Sequence, residues 1–215
     1  MIHKVLKDLL RNVHTIIEIG SHNGNDTKIL HKSFPAAEIH TFEANKDLYD
    51  RYLLGLQSDK IKIINKAVGN KNGTVTFYID KNLKGNAGAS SVLKSSSNYL
   101  RHHIKKEESR QVDMIRMEDY IKNNEISKIN LLWMDIEGYE FYVLNDSINI
   151  LRDIQYIYLE VNFQPFRKDT VLFPIIHKFM TKYKFELIYK EPQGSSRWGI
   201  WQGNVLYKNT RYTEN

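Results

Sequence analysis

Acidic residues stand at the ends of four apolar segments of this sequence: Glu18, Glu43, Asp135 and Glu160. An unpaired carboxylate in apolar surroundings is costly, so each side chain is expected to meet a ligand or a hydrogen-bond donor. In open α/β sheets, ligands bind outside the carboxyl ends of the strands, where the strand order reverses. If the four segments are strands of one sheet, these acids converge on one edge and form a binding site there.

A turn rich in glycine and asparagine follows the first segment, in residues 16–26 (IIEIGSHNGND). A strand, a flexible turn and a helix in this order are typical of nucleotide-binding α/β units. Gly20 and Gly24 would let the backbone approach a ligand closely, because glycine has no Cβ. The turn lacks the G-x-G-x-x-G and Gly-Lys-Ser/Thr patterns. It suits the zwitterionic end of a ligand such as S-adenosylmethionine, although a plain tight turn would look similar.

Glu43 lies about 20 residues beyond the glycine turn, the spacing at which doubly wound sheets place a ribose-binding acid. It follows the predicted strand Glu38–Phe42 directly. A carboxylate can accept one ribose hydroxyl proton on each oxygen. We therefore expect Glu43 to bind ribose; the alternative is a surface acid, or a cap for the helix that begins near Lys46.

The composition is that of a globular domain: the 215 residues are 41% hydrophobic and 26% charged, with a mean hydropathy of −0.49. This length suits a single domain spanning residues 1–215. No apolar run approaches the length of a membrane span, and residues 1–11 lack the pattern of a secretory signal. The absence of cysteine excludes disulfides and thiolate metal sites and fits a cytoplasmic location.

The chain carries a net charge of +6 and has a pI of about 9.2, values compatible with nucleic acid or an acidic sugar as a partner. Most lysines are scattered among asparagines and isoleucines, which favours a compositional bias over a binding surface. Residues 101–106 (RHHIKK) form a dense basic cluster. This cluster either contacts an anionic substrate or forms a solvated face.

Hydrophobic periodicity and turn residues predict strands that alternate with helices along most of the chain. Strands are predicted at residues 16–19, Glu38–Phe42, 60–68, 74–79, 110–116, 129–134, 154–160, 185–189 and 205–208. Helices are predicted at residues 5–12, 26–33, 46–56, Met117–Asn123, 139–145 and 170–183. This alternation predicts a Rossmann-like, doubly wound α/β fold with a mostly parallel sheet and an antiparallel edge strand.

The sequence also predicts the structure of three connecting segments. Asn72 and Gly73 predict a hairpin turn into the strand at 74–79. A turn is predicted at residues 198–204. Residues 80–98 predict a long loop that is either a functional lid or disordered, and it contains Ser90 and Ser91 as candidate ligand contacts.

Six motifs stand in a recognisable order: residues 16–26, 42–45 (FEAN), 65–78 (NKAVGNKNGTVTFY), 88–92 (GASSV), 134–140 (MDIEGYE) and 158–162 (YLEVN). In this order they resemble class I S-adenosylmethionine-dependent methyltransferases and, more narrowly, the FkbM-type methyltransferase family. The Asp-x-Glu-Gly-x-Glu block is the most specific motif. Two positions depart from the family pattern: Glu18 stands where aspartate is more common, and Trp133 where lysine is common.

The resemblance implies methyl transfer from S-adenosylmethionine, usually to a hydroxyl oxygen. It places the methionine end of the cofactor at the glycine turn, the ribose at Glu43, the adenine at Ala67 and Val68, and the amino group or reacting centre at Asp135. The residues expected to bind the cofactor are Glu18, Gly20, Ser21, Asn23, Gly24, Glu43, Ala44, Ala67, Val68, Ser90 and Asp135.

Two hypotheses account for removal of the acceptor's hydroxyl proton. Asp135 or Glu137 acts directly as the general base. Alternatively, Asp135, Glu160 and Asn162 hold Mg²⁺, which would lower the pKa of the hydroxyl. Glu137 also has a structural interpretation, in which it caps backbone amides around Gly138.

The sequence leaves the acceptor and the oligomeric state open. The family resemblance favours a small-molecule or glycan acceptor, and aromatic residues near the expected edge could stack on a sugar: Tyr99, Trp133, Tyr139, Phe163, Phe166, Trp198 and Trp201. The alternatives are a nucleic-acid methyltransferase, which the basic pI suggests, and a Rossmann-like binding module without catalysis. We find no RNA-binding appendage and no Asn-Pro-Pro-Tyr-type motif, which disfavours nucleic acid.

Overall fold

The computed structural model of this protein describes residues 2–80, 88–96, 107–196 and 199–213. The strands, in chain order, are β1 (Thr15–Ile19), β2 (Glu38–Phe42), β3 (Ile61–Ile64), β4 (Ala67–Gly69), β5 (Gly73–Asp80), β6 (Glu107–Arg116), β7 (Ile129–Met134), β8 (Ile154–Asn162), β9 (Phe185–Ser196) and β10 (Gly199–Asn209). The helices are α1 (Ile2–Leu9), α2 (Asn25–Ser33), α3 (Lys46–Leu48), α4 (Met117–Asn123), α5 (Glu140–Asp146) and α6 (Phe173–Lys182). None of the helices in these ranges is long and apolar enough to cross a membrane.

Seven strands form the central sheet in the order β3-β2-β1-β7-β8-β10-β9. The five strands from β3 to β8 in this order run parallel, whereas β10 runs antiparallel to both β8 and β9. The prediction of a doubly wound, mostly parallel sheet with an antiparallel edge is therefore confirmed. The order reverses between β1 and β7, so the carboxyl ends of these strands flank the switch point at which such sheets bind ligands.

Separate apolar clusters cover the two faces of the sheet, as expected for parallel strands that are buried on both sides. Ile17 and Leu132 belong to the cluster beneath α4, α5 and α6. Their neighbours Ile16 and Leu131 belong to the cluster beneath α1 and α2. Because side chains alternate between the faces, a one-residue slip of a strand would exchange residues between the two clusters and disrupt the packing of both.

A second sheet of three strands, in the order β4-β6-β5, was not predicted. The single strand predicted at residues 60–68 is wrong, because β3 joins the central sheet and β4 joins this second sheet. The chain bends between them at Asn65, whose side-chain amide donates to the carbonyl of Glu43 at 2.8 Å. The hairpin predicted at Asn72 and Gly73 is also wrong, because β6 lies between β4 and β5.

The C-terminal strand pair is longer than its sequence pattern predicts. Residues 199–204 belong to β10 rather than to a turn, and β9 continues to Ser196. Pairing of β10 with β8 on one side and β9 on the other satisfies its backbone groups, which overrides the local glycine and polar residues. The helix predicted at 46–56 is helical throughout but irregular: α3 continues as a π turn (Tyr49–Leu53) and a 3₁₀ turn (Leu54–Leu56).

Gly20 allows the backbone after β1 to lie close to the backbone after β7. Its φ is +91°, and a Cβ at this position would lie 1.9 Å from the carbonyl oxygen of Asp135. The amide of Asp135 in turn donates to the carbonyl of Ile19 at 3.0 Å. A glycine is therefore required here by the neighbouring backbone, whether or not a ligand approaches.

Replacement of Gly20 by alanine is expected to lower the free energy of unfolding by about 2–4 kcal/mol, because it adds an overlap with Asp135 to a strained positive φ. Urea denaturation measures the change. Gly55→Ala is the matched control, since a Cβ at Gly55 meets nothing within 4 Å. Equal stability of the two variants would contradict the role assigned to the close contact between Gly20 and the backbone of Asp135.

Candidate active site

A cleft of about 540 Å³, counted with its open mouth, lies at the carboxyl ends of β1, β2 and β7. Seven of the eleven residues predicted to bind the cofactor line it: Gly20, Glu43, Ala44, Ala67, Val68, Ser90 and Asp135. The other lining residues carried no such prediction: Ile19, His22, Phe42, Leu48, Lys66, Phe77, Gly88, Val92, Ile136 and Tyr139.

The apolar wall of the cleft comes partly from the second sheet. Ala67 and Val68 belong to β4 and Phe77 to β5, and all three are buried. Phe42, at the end of β2, and Leu48, in α3, complete this wall. Flat apolar rings are held by such surfaces, so the second sheet gives the cleft a place suited to a purine.

Glu43 is held rigidly at the edge of the cleft by backbone amides. Its Oε2 accepts from the amide of His22 at 2.8 Å, and its Oε1 accepts from the amide of Asn45 at 2.7 Å. Burial nevertheless raises the pKa of Glu43 to about 7. A carboxylate offers about four lone-pair sites, so each oxygen keeps capacity for a further donor, such as a hydroxyl.

Glu18 and Ser21 lie behind the glycine turn rather than on the wall of the cleft. Oε2 of Glu18 accepts from the hydroxyls of Thr27 at 2.6 Å and Thr41 at 2.7 Å, while its Oε1 has no hydrogen-bond partner among the described residues. Burial raises the pKa of Glu18 to about 7. The hydroxyl of Ser21 donates to the carbonyl of Phe42 at 3.3 Å. Both side chains thus connect β1 to neighbouring elements.

Asn23 and Gly24 shape the start of α2. Oδ1 of Asn23 accepts from the amide of Asn25 at 3.1 Å. Gly24, in the left-handed region at φ +72°, precedes the helix, and a Cβ there would lie 2.6 Å from the side chain of Leu56. Gly24 therefore occupies the N-cap position of α2.

Three carboxyl groups meet beside the cleft: Asp135, Glu137 and Glu160 each place an oxygen within 4.8 Å of the others. We call them the acidic cluster. Oε1 of Glu160 accepts from the side-chain amide of Gln202 at 2.7 Å, and its buried Oε2 has no partner among the described residues. Asn162, two residues further along β8, is also buried. The structure therefore brings Asp135, Glu137 and Glu160 together, and the catalytic or metal-binding role of each stays a prediction.

Proximity and loss of water change the proton affinity of the acidic cluster. Asp135 remains accessible from the cleft, yet the surrounding protein desolvates it and raises its pKa to about 6. Burial raises the pKa of Glu137 to about 7, against the opposing effect of Arg167, whose Nη2 lies 3.8 Å from Oε2. Burial and the neighbouring acids raise the pKa of Glu160 well above its ordinary value. This arrangement favours uptake of a proton or a cation.

Glu140 carries out the capping that one interpretation assigned to Glu137. It is 1% exposed, and its Oε1 accepts from the amide of Ile136 at 2.9 Å. Glu137 and Gly138 both have positive φ, at +57° and +96°, so the chain turns sharply between the acidic cluster and α5. The second glutamate of the MDIEGYE motif thus holds the turn, which leaves Glu137 available to the acidic cluster.

Residues 88–96 belong to the predicted loop and contain turns, bends and isolated bridges. The amide and carbonyl of Ser91 exchange hydrogen bonds with those of Tyr78 in β5, at 2.9 and 2.8 Å. Oγ of Ser90 accepts from the amide of Asp80 at 3.2 Å, and Ser90 lines the cleft. This segment, which we call the roof, therefore closes one side of the cleft.

Several sequence predictions lie outside the described residues: the remainder of the predicted lid at 81–87 and 97–98, the basic cluster at 101–106, and the aromatic candidates Tyr99 and Trp198. Sequence reasoning did not select Arg167 or Glu140. Glu140 belongs to the MDIEGYE motif and could have been chosen as a candidate site residue from the sequence, whereas no local sequence pattern indicates Arg167.

The sequence model of the Methyltransferase FkbM domain matches residues 18–187. The 2-O-methyltransferase NoeI of Sinorhizobium fredii (strain NBRC 101917 / NGR234) is 24% identical over 217 residues, which cover 98% of this chain and 86% of NoeI.

Solved structures share the fold at low sequence identity. TrmK of M. capricolum, in complex with S-adenosyl-homocysteine, superposes with a TM-score of 0.54 at 12% identity, over 100% of this chain and 70% of TrmK. Sp1610 of Streptococcus pneumoniae, in complex with S-adenosyl-L-methionine, gives 0.52 at 7% identity, over 99% and 74%. With the family match over most of the chain, the conclusion is that this protein belongs to the FkbM family and is an S-adenosylmethionine-dependent methyltransferase of the class I fold.

Proposed function

We propose that this enzyme methylates a hydroxyl oxygen of a sugar, a glycoconjugate or a related small molecule. The observation that carries the proposal is the position of Asp135, which lines the cofactor cleft and also belongs to the acidic cluster. The cofactor site and a group able to accept a proton therefore adjoin. The name of NoeI, a 2-O-methyltransferase, supports oxygen as the atom that receives the methyl group.

The cleft has groups suited to each part of S-adenosylmethionine. Glu43 would accept the ribose hydroxyls, because backbone amides already fix both of its oxygens. Ala67, Val68 and Phe77 would cover the adenine. Gly20 would lie against the methionine end, in the turn shaped by the residues behind it: Glu18, Ser21, Asn23 and Gly24. Ala44 and Ser90 line the remaining sides.

The bound cofactor supplies an electrophilic methyl group on a positively charged sulfur. The main task of the chain is to hold the acceptor hydroxyl in line with it, since alignment alone accounts for much of such a barrier. The hydroxyl proton passes to the carboxylate of Asp135 or Glu137. Their raised pKa values, about 6 and about 7, make these carboxylates better bases near neutral pH than ordinary exposed acids.

A divalent cation is the second way in which the acidic cluster can promote loss of the proton. Asp135, Glu160 and Asn162 offer oxygen ligands, which Mg²⁺ prefers. Oε2 of Glu160 is buried without a hydrogen-bond partner among the described residues, which fits an oxygen that awaits a proton or a cation. A cation held there would lower the pKa of the acceptor hydroxyl.

Nucleic acid remains the alternative acceptor on the strength of the pI of about 9.2. Transfer of labelled methyl groups to a panel of sugars, nucleotide sugars and glycolipids, with transfer RNA in parallel, separates the two classes. Label in the carbohydrates supports the proposal. Label confined to RNA, with binding that weakens steeply as salt rises, would refute it.

Removal of the Glu43 carboxylate should abolish tight cofactor binding. Glu43→Ala is expected to weaken binding of S-adenosyl-homocysteine about 100-fold, because two hydrogen bonds to a charged group are lost. Wild-type affinity should also fall as the pH is lowered through about 7, since protonation of Glu43 removes an acceptor site, and Glu43→Gln should lack this dependence. Isothermal titration calorimetry measures both effects.

The matched control is Glu186→Ala, which removes an exposed acid of β9 far along the chain from the cleft. It should bind like the wild type. Full affinity in Glu43→Ala would show that the ribose lies elsewhere.

Chelation tests the cation. If Mg²⁺ is held by the acidic cluster, dialysis against EDTA abolishes turnover and added Mg²⁺ restores it. Glu160→Gln should then need about tenfold more Mg²⁺, because it loses one anionic ligand while keeping the oxygen that accepts from Gln202. Glu186→Gln again serves as the control. Turnover that survives EDTA unchanged would rule out the cation and leave Asp135 or Glu137 as the direct base.

A further inference from the structure

A buried guanidinium joins the roof to the loop after β8. Arg167 is 3% exposed. Its Nη1 donates to the carbonyl of Leu93 at 3.1 Å and to the hydroxyl of Ser95 at 3.2 Å, and its Nη2 donates to the carbonyl of Ala89. Its Nη2 also lies 3.8 Å from Oε2 of Glu137. Three of these four contacts are therefore made to the roof.

Backbone pairing places the roof against the same loop. The amide of Ser96 donates to the carbonyl of Phe166 at 2.8 Å, and the amide of Lys168 donates to the carbonyl of Lys94 at 2.9 Å. The other part of the roof is joined to β5 through Ser91. Arg167 adds contacts along the whole roof: to Ala89 before the first backbone anchor, to Leu93 between the anchors and to Ser95 at the second.

Residues of the roof alternate between the cleft and the protein interior. The even-numbered ones line the cleft: Gly88, Ser90 and Val92. The odd-numbered ones are buried against the protein: Ser91, Leu93 and Ser95. Contacts that hold the odd-numbered residues and the backbone carbonyls of the roof therefore also fix the position of the residues that line the cleft.

The charge of Arg167 favours the closed position of the roof. A guanidinium removed from water must find acceptors for its donors, and an unsatisfied buried charge is costly. In the closed position the roof supplies two carbonyls and a hydroxyl. Movement of the roof away from the cleft would remove these three acceptors together, so the hydrogen bonds of Arg167 favour the closed position.

We infer that Arg167 is a positioning residue, which holds the roof closed over the cofactor cleft and so prepares it for S-adenosylmethionine. The inference rests on the cofactor placement proposed above. A site that is competent in only a fraction of the molecules binds with an affinity reduced by that fraction. Loss of Arg167 should therefore weaken cofactor binding through the roof, without removing any group that contacts the cofactor.

The test compares binding and turnover in Arg167→Met and Ser95→Ala. Arg167→Met should raise the Kd for S-adenosyl-homocysteine and the KM for S-adenosylmethionine about tenfold, as expected if the roof is closed for roughly a tenth of the time. In Ser95→Ala, which leaves Arg167 beside Glu137, kcat at saturating cofactor should stay within about threefold, since the closed state is then restored by binding. Ser95→Ala removes one acceptor outside the acidic cluster and should raise the same Kd about threefold.

Lys168→Met is the control, because Lys168 contacts the roof through its backbone while its side chain is exposed. It should match the wild type. Arg167→Lys, which keeps the charge but not the fork of donors, should fall between the wild type and Arg167→Met. Hydrogen exchange of residues 88–96 provides a second readout: it should be faster in ligand-free Arg167→Met and return towards the wild-type rate when S-adenosyl-homocysteine binds.

The outcomes separate the inference from the proposed function. A wild type that does not bind S-adenosyl-homocysteine would refute the cofactor site itself. Normal binding in Arg167→Met with a reduced kcat would assign Arg167 to the acidic cluster and overturn the inference. If Arg167→Met does not fold, unchanged Kd in Ser95→Ala together with no ligand-induced protection of residues 88–96 in the wild type would overturn it equally.

Discussion

The amide of Asp135 donates to the carbonyl of Ile19 at 3.0 Å, where the carboxyl ends of β1 and β7 meet. The two backbones can approach this closely only because residue 20 is glycine. This contact places the glycine turn and the MDIEGYE loop at the same cleft. The turn proposed to bind the cofactor and the carboxylates proposed to accept a proton are therefore neighbours. Roof, second sheet and acidic cluster are all arranged around this contact.

The acidic cluster explains why the loop after β7 is built as it is. Three carboxyl groups within 4.8 Å repel one another when ionised, and burial adds to that cost. Glu140 holds the turn, which lets Glu137 point to the acidic cluster, and Arg167 partly offsets the negative charge. Such a concentration of acids lowers stability, and proteins retain such groups where chemistry requires them.

Local patterns predicted what depends on local sequence. Alternating strands and helices gave the doubly wound sheet, and Glu43 and Asp135 were found because each directly follows an apolar strand. The break between β3 and β4 was missed because it depends on a side-chain bond from Asn65 to the carbonyl of Glu43, which no periodicity records. Arg167 was missed for the same reason, since its partners Leu93 and Ser95 are more than seventy residues away in the chain.

We propose that the cleft at the carboxyl ends of β1 and β7 holds S-adenosylmethionine with its ribose on Glu43. A crystal structure of the protein with S-adenosyl-homocysteine tests this most directly. We expect both ribose hydroxyls to lie within hydrogen-bond distance of the Glu43 carboxylate and the purine to lie against Ala67 and Val68. The proposal would be contradicted by a ligand bound elsewhere, for example in the polar cavity at the opposite end of the sheet, which His14 and Lys128 line.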